Sequence, residues 1–262
     1  MKPKDFLFET KNAFRDPMLA LGVCLILLTP LLAVAASLDE RSLFGRSPWE
    51  KPLRFSISLG VYAVTIAFAS QWLLNRTRII GWKWLAPILI GTGIFEIGWI
   101  TVQASRGVDS HFNEMTSFEA LMFSLMGVGA TILSLGVLWL GLTALRLSFR
   151  ELVPKDHLIA VGIALGFIGT GLLLPWTGEA LVQPGISQSA IAANWVLPLF
   201  GWRLDGSDPR PAHFVAAHIM QILPLMAIWL ARTYQPNRHA ISIQALIAMT
   251  VGSIFLTLWL IP

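Results

Sequence analysis

Seven apolar stretches, each about as long as a helix needs to cross hydrocarbon, dominate this chain and limit what it can become. They fall at 17–36, 53–74, 84–104, 117–143, 157–176, 213–232 and 240–261. Lipid offers no hydrogen bonds to an open backbone, so such segments are expected as helices that satisfy themselves. The expectation is an all-α, polytopic transmembrane bundle. It consists of a leader over 1–16 and a single seven-helix domain over 17–262. Only 13% of the residues are charged, against about a quarter in a typical soluble domain. The bilayer is therefore the first expected partner. Eleven tryptophans suit the headgroup zones. Cys24 is the only cysteine, which excludes an intrachain disulfide, a CxxC redox pair and a cysteine-based zinc site. The net charge of +4 does not point to nucleic acid, because no basic cluster is interleaved with stacking aromatics.

Local signals place several helix ends. Pro17 suits a first helical turn, where its missing N–H costs little. Thr116-Ser117-Phe118-Glu119 reads as a capping box opening the fourth helix. The one long connection without a span runs from Thr177 to Ala212. Its apolar stretch AIAANWVLPLFGW, residues 190–202, is too short to cross and is expected at the interface or as a lid. The leader is expected as an ordered tail or as a short interfacial helix on Phe6, Leu7 and Phe14. The first span has a rival reading as a signal peptide, with Ala33-Val34-Ala35-Ala36-Ser37 as the cleavage site. Asp5, Glu9 and Asp16, together with the length of the apolar run, favour a retained helix.

Orientation follows from the nineteen Lys and Arg residues, which alternate connections divide into twelve and seven. The richer side carries the N-terminus and is expected to be cytoplasmic, which leaves the C-terminus exoplasmic. The distinctive polar stretches then gather on the exoplasmic side. Glu50, Lys51 and Arg54 lead into the second helix. Asp109, His111, Asn113, Glu114 and Glu119 surround the start of the fourth. Asp205, Asp208, Arg210 and His213 precede the sixth.

Ionisable and amide groups inside the spans need a reason, because hydrocarbon penalises them. Glu96 sits near the middle of the third span, and Gln103 lies seven residues on, two turns along the same face. In the sixth span His218 and Gln221 share a face, whereas His213, five before His218, points about 140° away. Comparable depths suggest a polar shaft, open outward, formed by Glu96, Gln103, His218 and Gln221 with Ser58 and Ser124 in the same outer half. Pro224 frees the carbonyl of Met220 and is expected to kink its helix.

Arg106–Asn113 (RGVDSHFN), Ser47–Ser58 (SPWEKPLRFSIS) and Asp208–Pro224 (DPRPAHFVAAHIMQILP) resemble signatures of a family of uncharacterised multi-pass bacterial membrane proteins. The likeness runs from about Phe44 to Pro224. It implies a protein of the bacterial cytoplasmic (inner) membrane and carries no mechanism. HExxH, GxSxG and Walker motifs are missing, and the last two helices contain no lysine for a retinal Schiff base. Three readings stay open. One is a sensor or transport component that binds a small molecule, ion or lipid head group, with Glu96, Gln103, His111, Asp208, His213, His218 and Gln221 as binding groups. In that reading Arg210, Arg54 and Lys51 attract an anionic group. Another is a redox protein holding haem b or a quinone, with His111 and His218 or His213 as haem ligands. The third is a membrane enzyme with a divalent metal on His111, His213 and Asp208, and Glu96 or Glu119 as base.

Overall fold

A computed structural model describes residues 16–43, 45–111, 113, 115–181, 202 and 208–261. The expected interfacial helix of the leader lies outside the described residues. So do Glu114, Asp205 and all of the expected lid except Trp202. Seven long helices follow in order: α1 Pro17–Leu38, α2 Glu50–Leu74, α3 Trp82–Arg106, α4 Ser117–Ser148, α5 Pro154–Leu181, α6 Arg210–Arg232 and α7 His239–Trp259. A single 3-10 turn, Pro236–Arg238, precedes α7. All seven are long and apolar enough to cross a membrane, and no strand occurs among the described residues. This is the all-α set of seven apolar, span-length helices that the hydropathy pattern led us to expect.

Six helices overrun the apolar stretches by up to five residues at an end, because backbone hydrogen bonding continues through turns that hydropathy alone excludes, and α7 ends two residues short of its stretch. Their ends have local causes. Asp16 caps α1 by accepting from the Met18 amide at 2.8 Å, with Pro17 at the first helical position. Gly107 (φ 71°) ends α3 in a Schellman turn, in which the Val108 amide reaches the Gln103 carbonyl and the Gly107 amide reaches Ala104. At the start of α4 the Glu119 amide donates to Thr116 Oγ1 at 3.2 Å, the forward half of the expected box. The return half differs. Glu119 Oε2 accepts from the Thr116 hydroxyl rather than from its amide, while Oε1 pairs with Arg106 at 2.9 Å.

The chain divides into two compact units, Met1–Leu133 and Ser134–Pro262. In the first, α1 and α2 pack at small residues. A Cβ at Gly22 would fall 2.7 Å from the Val64 side chain and 3.0 Å from the Gly60 carbonyl oxygen. That closeness lets the Ser56 hydroxyl donate across to the Leu25 carbonyl. Gln71 donates to the other oxygen of Asp16 at 2.6 Å and ties the end of α2 to the start of α1. Small residues at such interfaces are the usual device in lipid, where apolar surface alone does not drive helices together.

The second unit repeats the device more tightly. A Cβ on Gly162 would collide with Ala227, and one on Gly166 would stand 3.0 Å from both the Ile219 carbonyl oxygen and Pro224 Cδ. One turn further along α5, Thr170 donates to the Ala216 carbonyl at 2.8 Å and accepts from the Met220 amide at 3.0 Å. An uninterrupted α6 would join those two groups to each other. The threonine hydroxyl thus bonds both groups of one rung of the α6 ladder, just ahead of Pro224.

Candidate functional site

The ends of α1 and α3 meet the starts of α2 and α4 at one end of the first unit. Antiparallel connection dictates this, and a polar rim holds it. Asp39 binds Arg41 at 2.6 Å and accepts from the Trp49 indole at 2.7 Å; Arg41 in turn donates to the Ser105 carbonyl at 3.1 Å. The guanidinium beside Asp39 holds its carboxyl well below the usual carboxylate range. Lys51 pairs with Asp109 at 3.0 Å, and Glu50 binds both Arg46 and Arg54. His111 lies between the rings of Phe55 and Phe123, with Nδ1 3.0 Å from the Ser110 hydroxyl. Burial pushes its pKa down to about 3, the Lys51 charge pushes the same way, and Asp109 opposes them. His111 is therefore a neutral imidazole at physiological pH.

Beneath this rim α3 buries a polar stripe. Glu96, Trp99 and Gln103 are spaced i, i+3 and i+7, which places them on one face. Glu96 is 4% exposed and Gln103 fully buried. The face is turned toward α4. Glu96 lies against Gly129, Trp99 packs with Met126 and sets its edge to Phe118 at 5.8 Å, and Arg106 pairs with Glu119. The contacts descend α3 as they ascend α4, an antiparallel register. Gly129 makes room for the carboxylate, since a Cβ there would overlap Glu96 Oε1.

Among the described residues, Glu96 Oε1, Trp99 Nε1, Gln103 Nε2 and, in the loop after α3, Asn113 Nδ2 are buried without a hydrogen-bond partner. Each such group costs about 1–3 kcal/mol if it stays unpaired, and native proteins carry few of them. The neighbouring atoms are not equally bare. Gln103 Oε1 accepts from Arg106 at 2.6 Å, and Asn113 Oδ1 accepts from the Met115 amide at 3.3 Å. The unpaired set is thus one carboxylate oxygen and three N–H donors, with about 10 Å of rise between Glu96 and Gln103. Chemically, it can accept from a cation or hydroxyl at depth and donate to acceptor atoms nearer the rim.

The candidates on and before α6 lie in the second unit, each with its own partner. Arg210 grips Asp208 with both sets of nitrogens, at 2.8 and 2.5 Å. His213 Nδ1 lies 3.2 Å from the Thr177 hydroxyl. His218 stacks on Phe214 at 4.2 Å, Trp202 continues that row at 5.2 Å, and the Gln221 side chain hydrogen-bonds the His218 ring. His213 and His218 serve different contacts, in keeping with their angular separation on α6. No group of three or more His, Cys, Asp or Glu is placed to hold a metal ion among the described residues. Ser58 and Ser124 lie on exposed faces, so neither joins a buried polar set. Arg54 and Arg210 are engaged by carboxylates.

Trp99 and Gly129 were not singled out by sequence reasoning, and Asn113 was named only among the polar residues of the loop before α4. Extending the Glu96–Gln103 helical face to every N–H-bearing side chain would have found Trp99. Gly129 carried no comparable signal, because its role depends on the pairing of α3 with α4. Comparison of the chain with family models, curated proteins and solved structures finds no match.

Proposed function

We propose that the protein is a ligand-binding component of a bacterial cytoplasmic membrane, a sensor or part of a transport system. Its N-terminus is cytoplasmic, and its first unit opens outward at the end carrying residues 39–49 and 107–116. The observation that carries this reading is the buried, unpartnered set of Glu96, Trp99, Gln103 and Asn113. A ligand that fits the set is small and polar. It presents an ammonium or hydroxyl to Glu96 and acceptor oxygens to the three N–H donors, over about 10 Å. Amino sugars, short zwitterions and hydroxylated amines meet that description; a purely apolar ligand does not. The bacterial inner-membrane setting is supported by the resemblance of residues 44–224 to such proteins, and the orientation by the Lys and Arg distribution.

Native mass spectrometry of the chain, extracted in mild detergent, tests binding when combined with thermal shifts against a panel of those compounds. Wild type is expected to show a bound small polar mass or a ligand-dependent stabilisation, and Glu96→Gln and Gly129→Ala are expected to lose it. A wild type that responds to nothing in the panel and carries no such mass sinks the reading. In a Cys24→Ser background, Gly45→Cys should react with an impermeant thiol reagent from the exoplasmic side. Reaction only from the cytoplasmic side would reverse the orientation.

A further inference from the structure

Two histidines outside that site meet within the second unit. His157 stands about one turn into α5 and His239 opens α7. His157 Nδ1 lies 3.2 Å from His239 Nε2, 82 positions apart in sequence. A tetrahedral first-row ion with metal–nitrogen bonds of about 2.0–2.1 Å holds two imidazole nitrogens about 3.3 Å apart. The Ser148 backbone lies by the His157 ring and favours its protonated form, and metal-bound histidines commonly keep a backbone group as an outer partner. In the tautomer that carries its proton on Nε2, His157 faces His239 with the Nδ1 lone pair.

The second ring carries an unpartnered nitrogen. His239 Nδ1 is buried with no hydrogen-bond partner among the described residues. The Tyr234 ring sits 5.8 Å away, edge to face at 71°. In a histidine–histidine hydrogen bond either ring can donate, according to its tautomer, and when His239 Nε2 donates the buried Nδ1 is left as a bare acceptor with nothing to accept. When both inner nitrogens are lone pairs, Nδ1 instead carries the proton beside an aromatic ring, a weak but real acceptor.

We propose that His157 and His239 form a two-histidine site for a first-row divalent cation such as zinc. It joins the start of α5 to the start of α7, and water completes the coordination. It is independent of the Glu96 stripe. Two protein ligands leave coordination positions open, so the ion exchanges instead of being sealed in as it is in a four-ligand structural site.

The full chain in detergent, stripped with a chelator and titrated with zinc, tests the proposal. Wild type is expected to bind one equivalent and to melt at a higher temperature when zinc is present. His157→Asn and His239→Asn should each weaken binding at least tenfold and abolish the thermal shift. Zinc-edge X-ray absorption of wild type should show two imidazoles at about 2.0 Å, a readout that stands even when a variant fails to fold. Absence of zinc binding by wild type, equal affinity in the variants, or an edge without imidazole scattering would overturn the proposal and leave a hydrogen-bonded pair only.

Discussion

Replacing Thr170 with valine removes one hydroxyl while nearly preserving volume, so the loss it causes is one of hydrogen bonding and not of packing. That hydroxyl is fully buried and serves two backbone groups of α6, the Ala216 carbonyl and the Met220 amide. A buried group left unpaired costs about 1–3 kcal/mol, but side-chain bonds in lipid average only about 0.6 and reach about 1.7 kcal/mol. Two bonds therefore place Thr170→Val near 2 kcal/mol of destabilisation, about the sum of one typical and one strong bond in lipid. The two α6 groups would recover part of that by bonding each other, a closure opposed by Pro224, which is lodged against Gly166. Thr170→Ser keeps the hydroxyl and should lose less than about 1 kcal/mol, the value of a methyl group. Reversible unfolding in mixed micelles measures the difference, and amide exchange at Met220 localises it. A valine variant within about 0.3 kcal/mol of wild type, with Met220 exchange unchanged, would refute the assignment of Thr170 as part of the α6 ladder.

Other outcomes follow from the same contacts. Gly166→Ala should cost about 1–3 kcal/mol, because its Cβ would press on the Ile219 carbonyl and Pro224; Gly91→Ala, with nothing within 4 Å, should be neutral or slightly stabilising in the same unfolding assay. Arg106→Met leaves the buried Glu119 carboxylate without its cation and should destabilise by about 1–3 kcal/mol, less than a fully buried pair because Arg106 is half exposed. His111 has a folded pKa near 3, below the usual 6.5, so the unfolded chain takes up the proton first as pH falls. Its contribution is intact above pH 6.5 and declines below it, by about 1.4 kcal/mol at pH 5.5, and His111→Gln should flatten melting curves over that interval.

What the sequence disclosed was local. Spans, the Pro17 entry, the Thr116–Glu119 turn and the shared face of Glu96 and Gln103 all rest on hydropathy or helical spacing. What it concealed depends on which helices touch. Arg106 gives Glu119 a partner only because α3 and α4 run side by side, and that pairing redirected the expected capping box. Thr170 looks like any membrane threonine until Ala216 and Met220 are brought beside it. His157 and His239 are separated by 82 residues, so no spacing rule connects them, while the closer pair His213 and His218 turned to separate partners. A Gly162-xxx-Gly166 stripe was visible in the sequence and marks the α5–α6 contact; small residues four apart are its signal.

Thr65, Thr101, Thr131, Thr143, Thr250 and Thr257 each bond the carbonyl four residues back in their own helix. Thr170 instead reaches 46 residues ahead. At ribosomal speeds of about 5–20 residues per second, that separation leaves α5 waiting roughly 2–9 s for its partner to be made. During that interval the hydroxyl has only the local carbonyl its neighbours use. The arrival of α6 exchanges that bond for two across the interface. The glycine face of α5 likewise has no α6 to pack against until then.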